Sequence, residues 1–192
     1  MAKSEKRCRW VPDNDVLYQK YHDEEWGVPS TQDSYLFEML LLESFQAGLS
    51  WSCILRKREA FRQAFDQFDV RRIAAYDQDK IEALMNNPAI VRNRRKIEAA
   101  VTNARIFLDI AQQYGCFSDY IWHFTGGRTV VRQSGEMAAT SALSDEVSRD
   151  LKRRGMKFVG STIVYSYLQA IGVINDHDLD CDFRHLPQER QK

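Results

Sequence analysis

Apolar residues recur along most of the chain at intervals of three and four positions. After Asp33 the recurring set consists of Leu36, Phe37, Leu40 and Leu41, and Asp33 is of a residue type that caps helix N-termini. The same spacing follows Ser50 as far as Phe65, and it returns in a long segment after Pro88 that Gly115 would end. Such spacing marks one buried face of an α-helix. It predicts an all-α fold of about eight helices.

The remaining boundaries come from capping residues and from breaks in the pattern. Asp69 and Asp77 precede two short segments, Ser118 is expected to open a short aromatic helix, and Ser144 is expected to cap a helix that ends at Gly155. A last helix is expected from about 161 to 172. Between 125 and 141 the pattern breaks, and only 129–132 alternates like a brief strand. Because no internal repeat or low-complexity stretch divides the chain, residues 1–192 are interpreted as a single unit.

Composition narrows the class of protein. The chain has 192 residues, of which 44% are hydrophobic and 11% aromatic, enough for a core that folds unaided. No apolar run approaches the roughly 18 residues of a membrane span. The first residues contain charges and lead into no apolar stretch of the signal-peptide type. A cytoplasmic protein without a membrane partner is therefore expected.

Charge is informative locally rather than overall. The 27 basic and 27 acidic residues cancel. One basic cluster consists of Arg92, Arg94, Arg95 and Lys96, and a second of Arg149, Lys152, Arg153, Arg154 and Lys157. Such clusters are expected on a phosphate-binding face, although a solvated helix surface would explain either cluster alone.

A tight turn between two helical stretches precedes the first basic cluster. It spans residues 84–92 and contains Ala89. A helix N-terminus that points outward offers N–H groups and a positive dipole end to a phosphate. Residues 78–112 are therefore interpreted as a helix-hairpin-helix that would hold DNA without reading its bases. Paired helices are common in helical proteins, so this segment alone is a weak signal.

Four residues near the two chain ends are of metal-ligating types. They are Cys8, His22, His177 and Cys181. The offset of four between the last two places both on one side of a helical turn. Two thiolates and two imidazoles form the closed tetrahedral set of structural zinc. Unrelated core residues are the alternative, and Cys53 and Cys116 are interpreted as small buried hydrophobic residues.

The first 51 residues are rich in large aromatic side chains. Trp10, Tyr18, Tyr21, Trp26 and Trp51 accompany Glu43, which lies in an otherwise apolar helix. A buried carboxylate is costly unless it is paired. Aromatic walls with one carboxylate would suit a flat, cationic or amino-bearing ligand. An aromatic core with Glu43 at its solvent edge is the alternative.

Taken together, these segments resemble the 3-methyladenine DNA glycosylase I family. The similar blocks, in the family's order, are Cys8-Arg9-Trp10-Val11, residues 21–29, Leu42-Glu43 with residues 46–51, residues 157–162 with Tyr165-Ser166, and Asn175-Asp176-His177 with Cys181. The resemblance implies a helix-hairpin-helix glycosylase fold whose ends, 8–22 and 177–181, are joined by one structural zinc. It implies the zinc ligands Cys8, His22, His177 and Cys181. It also implies a base pocket of Trp10, Tyr18, Tyr21, Trp26, Trp51 and Ser166 around Glu43.

The same resemblance implies a function. We expect a monomeric enzyme that flips alkylated adenine out of double-stranded DNA and hydrolyses its N-glycosidic bond. The products would be free 3-methyladenine and an abasic site, without strand cleavage. In this family the counterpart of Glu43 binds the base instead of activating water. Gln46, Gly48 and Leu49 would fill the gap left in the duplex, with Leu49 as the wedge.

Two departures from the family pattern leave alternatives open. Ser44-Phe45 stands where relatives often carry small or amide residues, which keeps open a glycosylase with shifted alkylpurine specificity. Ala89 replaces the usual hairpin glycine, so phosphate contact there is expected to be weaker or reshaped. A non-catalytic damage-binding protein of the same fold is the rival from another functional class.

Overall fold

A computed structural model describes residues 5–133 and 137–185. The described residues form nine α-helices: α1 Val16–Glu24, α2 Asp33–Gln46, α3 Trp51–Ala64, α4 Val70–Ala74, α5 Gln78–Met85, α6 Arg94–Tyr114, α7 Phe117–His123, α8 Ala142–Arg153 and α9 Ser161–Ala170. Two strands of two residues each, β1 Val130–Val131 and β2 Ile174–Asn175, pair in parallel. The helical prediction is confirmed, and so is the brief strand near 130.

Most local capping predictions are correct. Ser50 Oγ accepts a hydrogen bond from Cys53 N at 3.2 Å and caps α3. Asp69 caps α4, and Asp77 caps α5. Gly115 ends α6 with φ of +93°, a conformation that glycine adopts at little cost. These caps act within a few residues of themselves, which is why the sequence predicts them.

Three boundary predictions were wrong. Asp33 is the first residue of α2, and its carboxylate accepts hydrogen bonds from the distant Phe117 and Ser118 N–H groups at 3.0 and 2.8 Å. The following helix, α7, is capped by Cys116, not by Ser118. Ser144 is the third residue of α8; Ser141 is the cap, and the two serines bond each other's backbone reciprocally.

Helix α2 lies at the centre of the fold. Residues 36–45 are all buried, and α2 packs against α3, α6, α7 and α9. A helix that is buried on every side needs apolar residues all round. The unbroken apolar run of residues 39–42, together with Phe45, largely provides them. Glu43 is thereby carried into the interior.

The two ends of the described chain lie side by side. Lys6 N donates a hydrogen bond to Asp182 Oδ2 at 2.8 Å, and Asp182 N donates to Lys6 O at 2.9 Å. The β1–β2 pair, with Val130 opposite Ile174, brings the segment before α8 against the one after α9. Among the described residues, no helix combines the length and apolar character that crossing a bilayer requires.

Candidate functional site

A cavity of about 210 Å³ opens where the N-terminal segment, α1, α2, α3 and α9 meet. All seven residues predicted for the base pocket line it: Trp10, Tyr18, Tyr21, Trp26, Glu43, Trp51 and Ser166. Gln46 also lines it. The structure therefore brings together residues from both halves of the chain. Their common location agrees with the predicted pocket.

Aromatic rings form the walls. The Trp10 ring lies 4.7 Å from Trp26 and 5.5 Å from Tyr18, both edge to face, measured between centroids. The Tyr21 and Trp51 rings lie 5.3 Å apart. The Trp51 Nε1 atom is buried and has no hydrogen-bond partner among the described residues. Rings packed edge to face hold one another in place, so they present a stiff apolar wall.

Glu43 supplies a carboxyl group to this apolar cavity. The residue is 3% exposed, so it does not lie at a solvent edge. Within the described part of the chain, its carboxylate has no hydrogen-bond or ion-pair partner. Burial raises the pKa of Glu43 to about 8, because a charge without a partner is poorly solvated in the interior. The carboxyl can accept a hydrogen bond or pair with a cation that enters the cavity.

A second acid at the cavity was missed by the sequence reasoning. Asp176 accepts hydrogen bonds from Tyr165 Oη at 2.9 Å and Gln169 Nε2 at 2.6 Å, and it pairs with Arg132 at 3.1 Å. Burial is the largest influence on Asp176 and raises its pKa. Unlike Glu43, this carboxylate is already satisfied by protein donors. Asp176 stands beside His177 in a segment that resembles the family, and this was the sequence feature that could have identified it.

The two departures from the family pattern lie away from the cavity. Phe45 is fully buried and packs against Phe61 at 4.9 Å between ring centroids, and Ser44 Oγ donates to Leu40 O at 2.7 Å. Neither Ser44 nor Phe45 is among the residues that line the cavity. Ala89 does not have a positive φ, so the position requires no glycine for its backbone conformation.

Cys8, His22, His177 and Cys181 come together beside the cavity. All four are buried, and one ligand atom from each lies within 4.8 Å of the others. Cys181 Sγ and His22 Nε2 are 3.6 Å apart. Zinc bonds of roughly 2.3 Å to sulfur and 2.0–2.1 Å to nitrogen, at a tetrahedral angle, would also separate the two atoms by about 3.6 Å. The donor set and its spacing therefore fit a tetrahedral metal ion.

The imidazoles are oriented as metal ligands usually are. His22 Nδ1 contacts Asp23 Oδ1 at 2.8 Å, and His177 Nδ1 contacts Asn175 Oδ1 at 2.9 Å. These contacts leave each Nε2 atom for the cluster, and His177 Nε2 is buried without a partner among the described residues. Burial lowers the pKa of His177 to about 3, so its ring is neutral near pH 7. A neutral ring with one engaged nitrogen is the arrangement expected of a ligated histidine.

The two other cysteines lie outside this cluster. Cys53 and Cys116 are only partly buried, so their interpretation as small buried hydrophobic residues was wrong. Cys116 Sγ accepts a hydrogen bond from Asp119 N at 3.3 Å, which makes it the N-terminal cap of α7. A polar local contact of this kind is compatible with a position at the edge of the core.

The four residues of the first basic cluster differ in exposure and in pairing. Arg92 and Arg95 are exposed, whereas Arg94 pairs with Glu82 at 2.8 Å. Lys96 is only 6% exposed, and its ammonium donates to the carbonyls of Phe45 and Ala47 at 2.7 and 2.6 Å. The expectation that Lys96 lies on an open phosphate-binding face was therefore wrong. The remaining arginines stay candidates for that contact.

The loop between α2 and α3 was predicted to meet DNA, and the residues on either side of it, Gln46 and Trp51, line the cavity. Leu49 N donates to Gln46 O, and Gln46 Nε2 donates to Leu49 O, both at 2.7 Å. Gly48 has φ of +83°, which glycine adopts readily. Leu49 is 38% exposed. The loop is a closed turn with an exposed apolar side chain at its tip.

A cavity that is walled by aromatic rings and contains one unpaired carboxyl suits a flat ring with an amino group or a positive charge. The sequence model of the methyladenine glycosylase family matches residues 10–185, and the chain belongs to this family. It is 45% identical over 179 residues to DNA-3-methyladenine glycosylase 1 of Escherichia coli, covering 92% of this chain and 95% of that protein. It is 40% identical over 178 residues to DNA-3-methyladenine glycosylase of Haemophilus influenzae, covering 91% and 96%.

Solved structures agree in fold. A crystal structure of 3-methyladenine DNA glycosylase I has a TM-score of 0.89 and 45% identity, covering 95% of this chain and all of that one. The Staphylococcus aureus 3-methyladenine DNA glycosylase I, solved to describe 3-methyladenine recognition, has a TM-score of 0.87 and 37% identity, covering 92% and 95%.

Proposed function

We propose that this protein is a DNA-3-methyladenine glycosylase, which hydrolyses the N-glycosidic bond of 3-methyladenine in alkylated double-stranded DNA. The observation that carries the proposal is the buried carboxyl of Glu43, which faces an aromatic cavity without a partner among the described residues. Such a group is costly for folding. Its placement is explained when the flipped base supplies the missing donor or positive charge.

The base would be held by stacking and by one polar contact. Trp51 and Tyr21 stack on the flipped ring, and Glu43 accepts a hydrogen bond from the exocyclic amino group. Trp10, Tyr18, Trp26 and Ser166 complete the walls. Methylation at N3 gives the base in DNA a positive charge, which aromatic faces and a carboxylate attract. A neutral adenine would gain less from this cavity.

The chemistry asks little of an acid catalyst. Water attacks C1′ of the sugar and gives up a proton to the surrounding solvent, while the bond from C1′ to the base breaks and its electron pair neutralises the departing base. An abasic site and free 3-methyladenine remain. Extruding the base costs a few kcal/mol, and less for a damaged, weakly paired base. Because none of the described cavity-lining residues is a lysine, we propose no Schiff-base step and no strand cleavage.

DNA would be held at two places. Helices α5 and α6 with residues 86–93 between them would act as a helix-hairpin-helix, in which the backbone near Ala89 and the side chains of Arg92, Arg94 and Arg95 meet phosphates. The loop of Gln46, Gly48 and Leu49 would enter the gap left by the flipped base. Neither contact reads sequence, which suits an enzyme that must search all DNA.

The Cys2His2 cluster would hold one structural zinc ion. Its four protein ligands leave no open position for a reactive water. By joining Cys8 to Cys181, the cluster restricts nearly the whole unfolded chain. It also supports the cavity, since the Trp26 ring lies 4.6 Å from the His177 ring. We further propose that the chain acts as a monomer.

A base-release assay on methylated DNA tests the proposed function. The protein is expected to release 3-methyladenine and to leave abasic sites. Trp51→Ala is expected to slow release by about 5- to 150-fold, because stacking on an aromatic ring contributes about 1–3 kcal/mol per base. A protein that binds methylated DNA but releases no base would instead be the non-catalytic damage-binding protein.

Metal analysis tests the cluster. One zinc ion per chain is expected, and Cys181→Ser is expected to lower the free energy of unfolding by at least about 3 kcal/mol. Cys53→Ser is the matched control, since Cys53 lies on α3 outside the cluster. A metal-free protein with the stability of the zinc-loaded form would exclude the structural role.

A further inference from the structure

Lys96 is the only buried lysine among the described residues. It is the third residue of α6, directly after the hairpin connection of residues 86–93. No described carboxylate lies within ion-pair distance of its ammonium. A buried cation without a counter-ion is costly, so its position calls for a physical explanation.

Two carbonyl groups take the place of a counter-ion. Lys96 Nζ donates to Phe45 O at 2.7 Å and to Ala47 O at 2.6 Å. These carbonyls lie at the C-terminal end of α2, where helix carbonyls lack partners and carry partial negative charge. The ring of Phe158 lies 5.8 Å from the ammonium, and Phe158 has φ of +55°. The ammonium thus fixes the point at which α2 ends and the loop begins.

This point lies between the pocket and the proposed wedge. Glu43 is two residues before the first bonded carbonyl, and Leu49 is two residues after the second. The next helix begins with Trp51. One side chain from α6 therefore holds the short segment that connects the pocket acid, the exposed leucine and the stacking ring.

We propose that Lys96 is a positioning residue, which couples the DNA-holding hairpin to the loop of residues 46–50 so that the loop enters the duplex in register with the pocket. The proposal rests on the proposed function. In this role Lys96 touches neither the base nor the phosphates. It acts through the loop, so its removal should affect DNA excision without affecting the binding of a free base.

The experiment compares Lys96→Met with wild type in two measurements. Single-turnover excision at saturating methylated DNA is expected to fall at least tenfold, while the affinity for free 3-methyladenine stays within twofold. Arg105→Met is the matched control: Arg105 also lies on α6 and donates to a carbonyl at a helix end, that of Ala74 at 2.8 Å, but on an exposed surface. It is expected to behave as wild type in both measurements.

A double-mutant cycle with Leu49→Ala identifies the route of the effect. If Lys96 acts through the loop, the double variant is expected to lose no more than twofold beyond the larger single loss. Independent, multiplicative losses would overturn the proposal, as would a parallel loss of free-base affinity. Should Lys96→Met fail to fold, Lys96→Gln, whose shorter neutral side chain carries two N–H donors, is judged by the same criteria.

The two proposals fail differently. A wild-type protein that releases no 3-methyladenine would overturn the proposed function. An active wild type with an equally active, folded Lys96→Met variant would overturn only the role of Lys96.

Discussion

Helix α2 carries two buried glutamates, five residues apart, whose surroundings are opposite. Glu38 is 6% exposed and Glu43 is 3% exposed. The Glu38 carboxylate accepts hydrogen bonds from Arg58 at 2.7 Å and Arg62 at 2.8 Å. Glu43 has no such partner among the described residues. Burial alone therefore does not distinguish a structural acid from a candidate binding acid, whereas the pairing of the carboxylate does.

Glu38, the paired acid, stabilises the helices that surround the cavity. Arg58 also bonds Glu25 at 2.8 and 2.9 Å, so one guanidinium joins the end of α1 to α2 and α3. Bidentate and charge-assisted contacts of this kind fix geometry as well as adding energy. Glu38 thus helps to hold α2, α3 and the end of α1 together, and these helices hold the unpaired carboxyl of Glu43 in the cavity.

The largest expected effect comes from breaking the paired acid. Glu38→Gln leaves Arg58 and Arg62 with a neutral partner, and loss of a buried pair costs about 3–5 kcal/mol. We expect a loss of about 3 kcal/mol in the free energy of unfolding, measured by chemical denaturation. Excision well below the unfolding temperature should stay within twofold of wild type. A large excision defect in this folded variant would remove the contrast between the two acids.

Replacing the unpaired acid, Glu43, by an amide should have the opposite result. Glu43→Gln is expected to lower excision by about a hundredfold, equivalent to ~2.7 kcal/mol, because a hydrogen bond to a charged group contributes about 1.5–3 kcal/mol. Its stability should not fall. The measurement is single-turnover release of 3-methyladenine, with Glu38→Gln as the matched control. Unchanged release would contradict the assignment of Glu43.

The smallest expected effect is a pH dependence of stability. Folding raises the pKa of Glu43 from 4.5 to about 8. At pH values between these two, Glu43 keeps its proton in the folded state but has lost it in the unfolded chain. The stabilising contribution is complete below about pH 4.5 and is lost as the pH rises towards 8. Between about pH 6 and 8, wild type should lose about 2 kcal/mol relative to Glu43→Gln. If the free energies of unfolding of the two proteins changed by the same amount with pH, the raised pKa of Glu43 would be contradicted.

Local patterns predicted the helices because their causes are local. The spacing of apolar residues and the caps at Ser50, Asp69 and Asp77 act over three or four positions. The base pocket and the Cys2His2 set required the family resemblance, since their residues meet only after folding. From sequence spacing alone, the Cys2His2 set could equally have been unrelated core residues, and the pocket could have been an aromatic core with Glu43 at its solvent edge.

Two of the errors have a long-range cause. Asp33 looked like a cap for its own helix, but its carboxylate serves the backbone of Phe117 and Ser118. Lys96 looked like part of an exposed basic cluster, yet it lies on the same helix face as Ala100 and Ala104, which are buried. Its helical spacing from those alanines was a usable signal. The partner that stabilises it, the end of α2, was not visible in the sequence.

The connection between α2 and α3 consists of only four residues, 47–50. A connection this short cannot absorb extra length, so an inserted residue would have to displace α2 or α3. Chain length at this turn is therefore a determinant of the site in its own right, and transplanting the pocket to another scaffold would require copying the spacing as faithfully as the side chains.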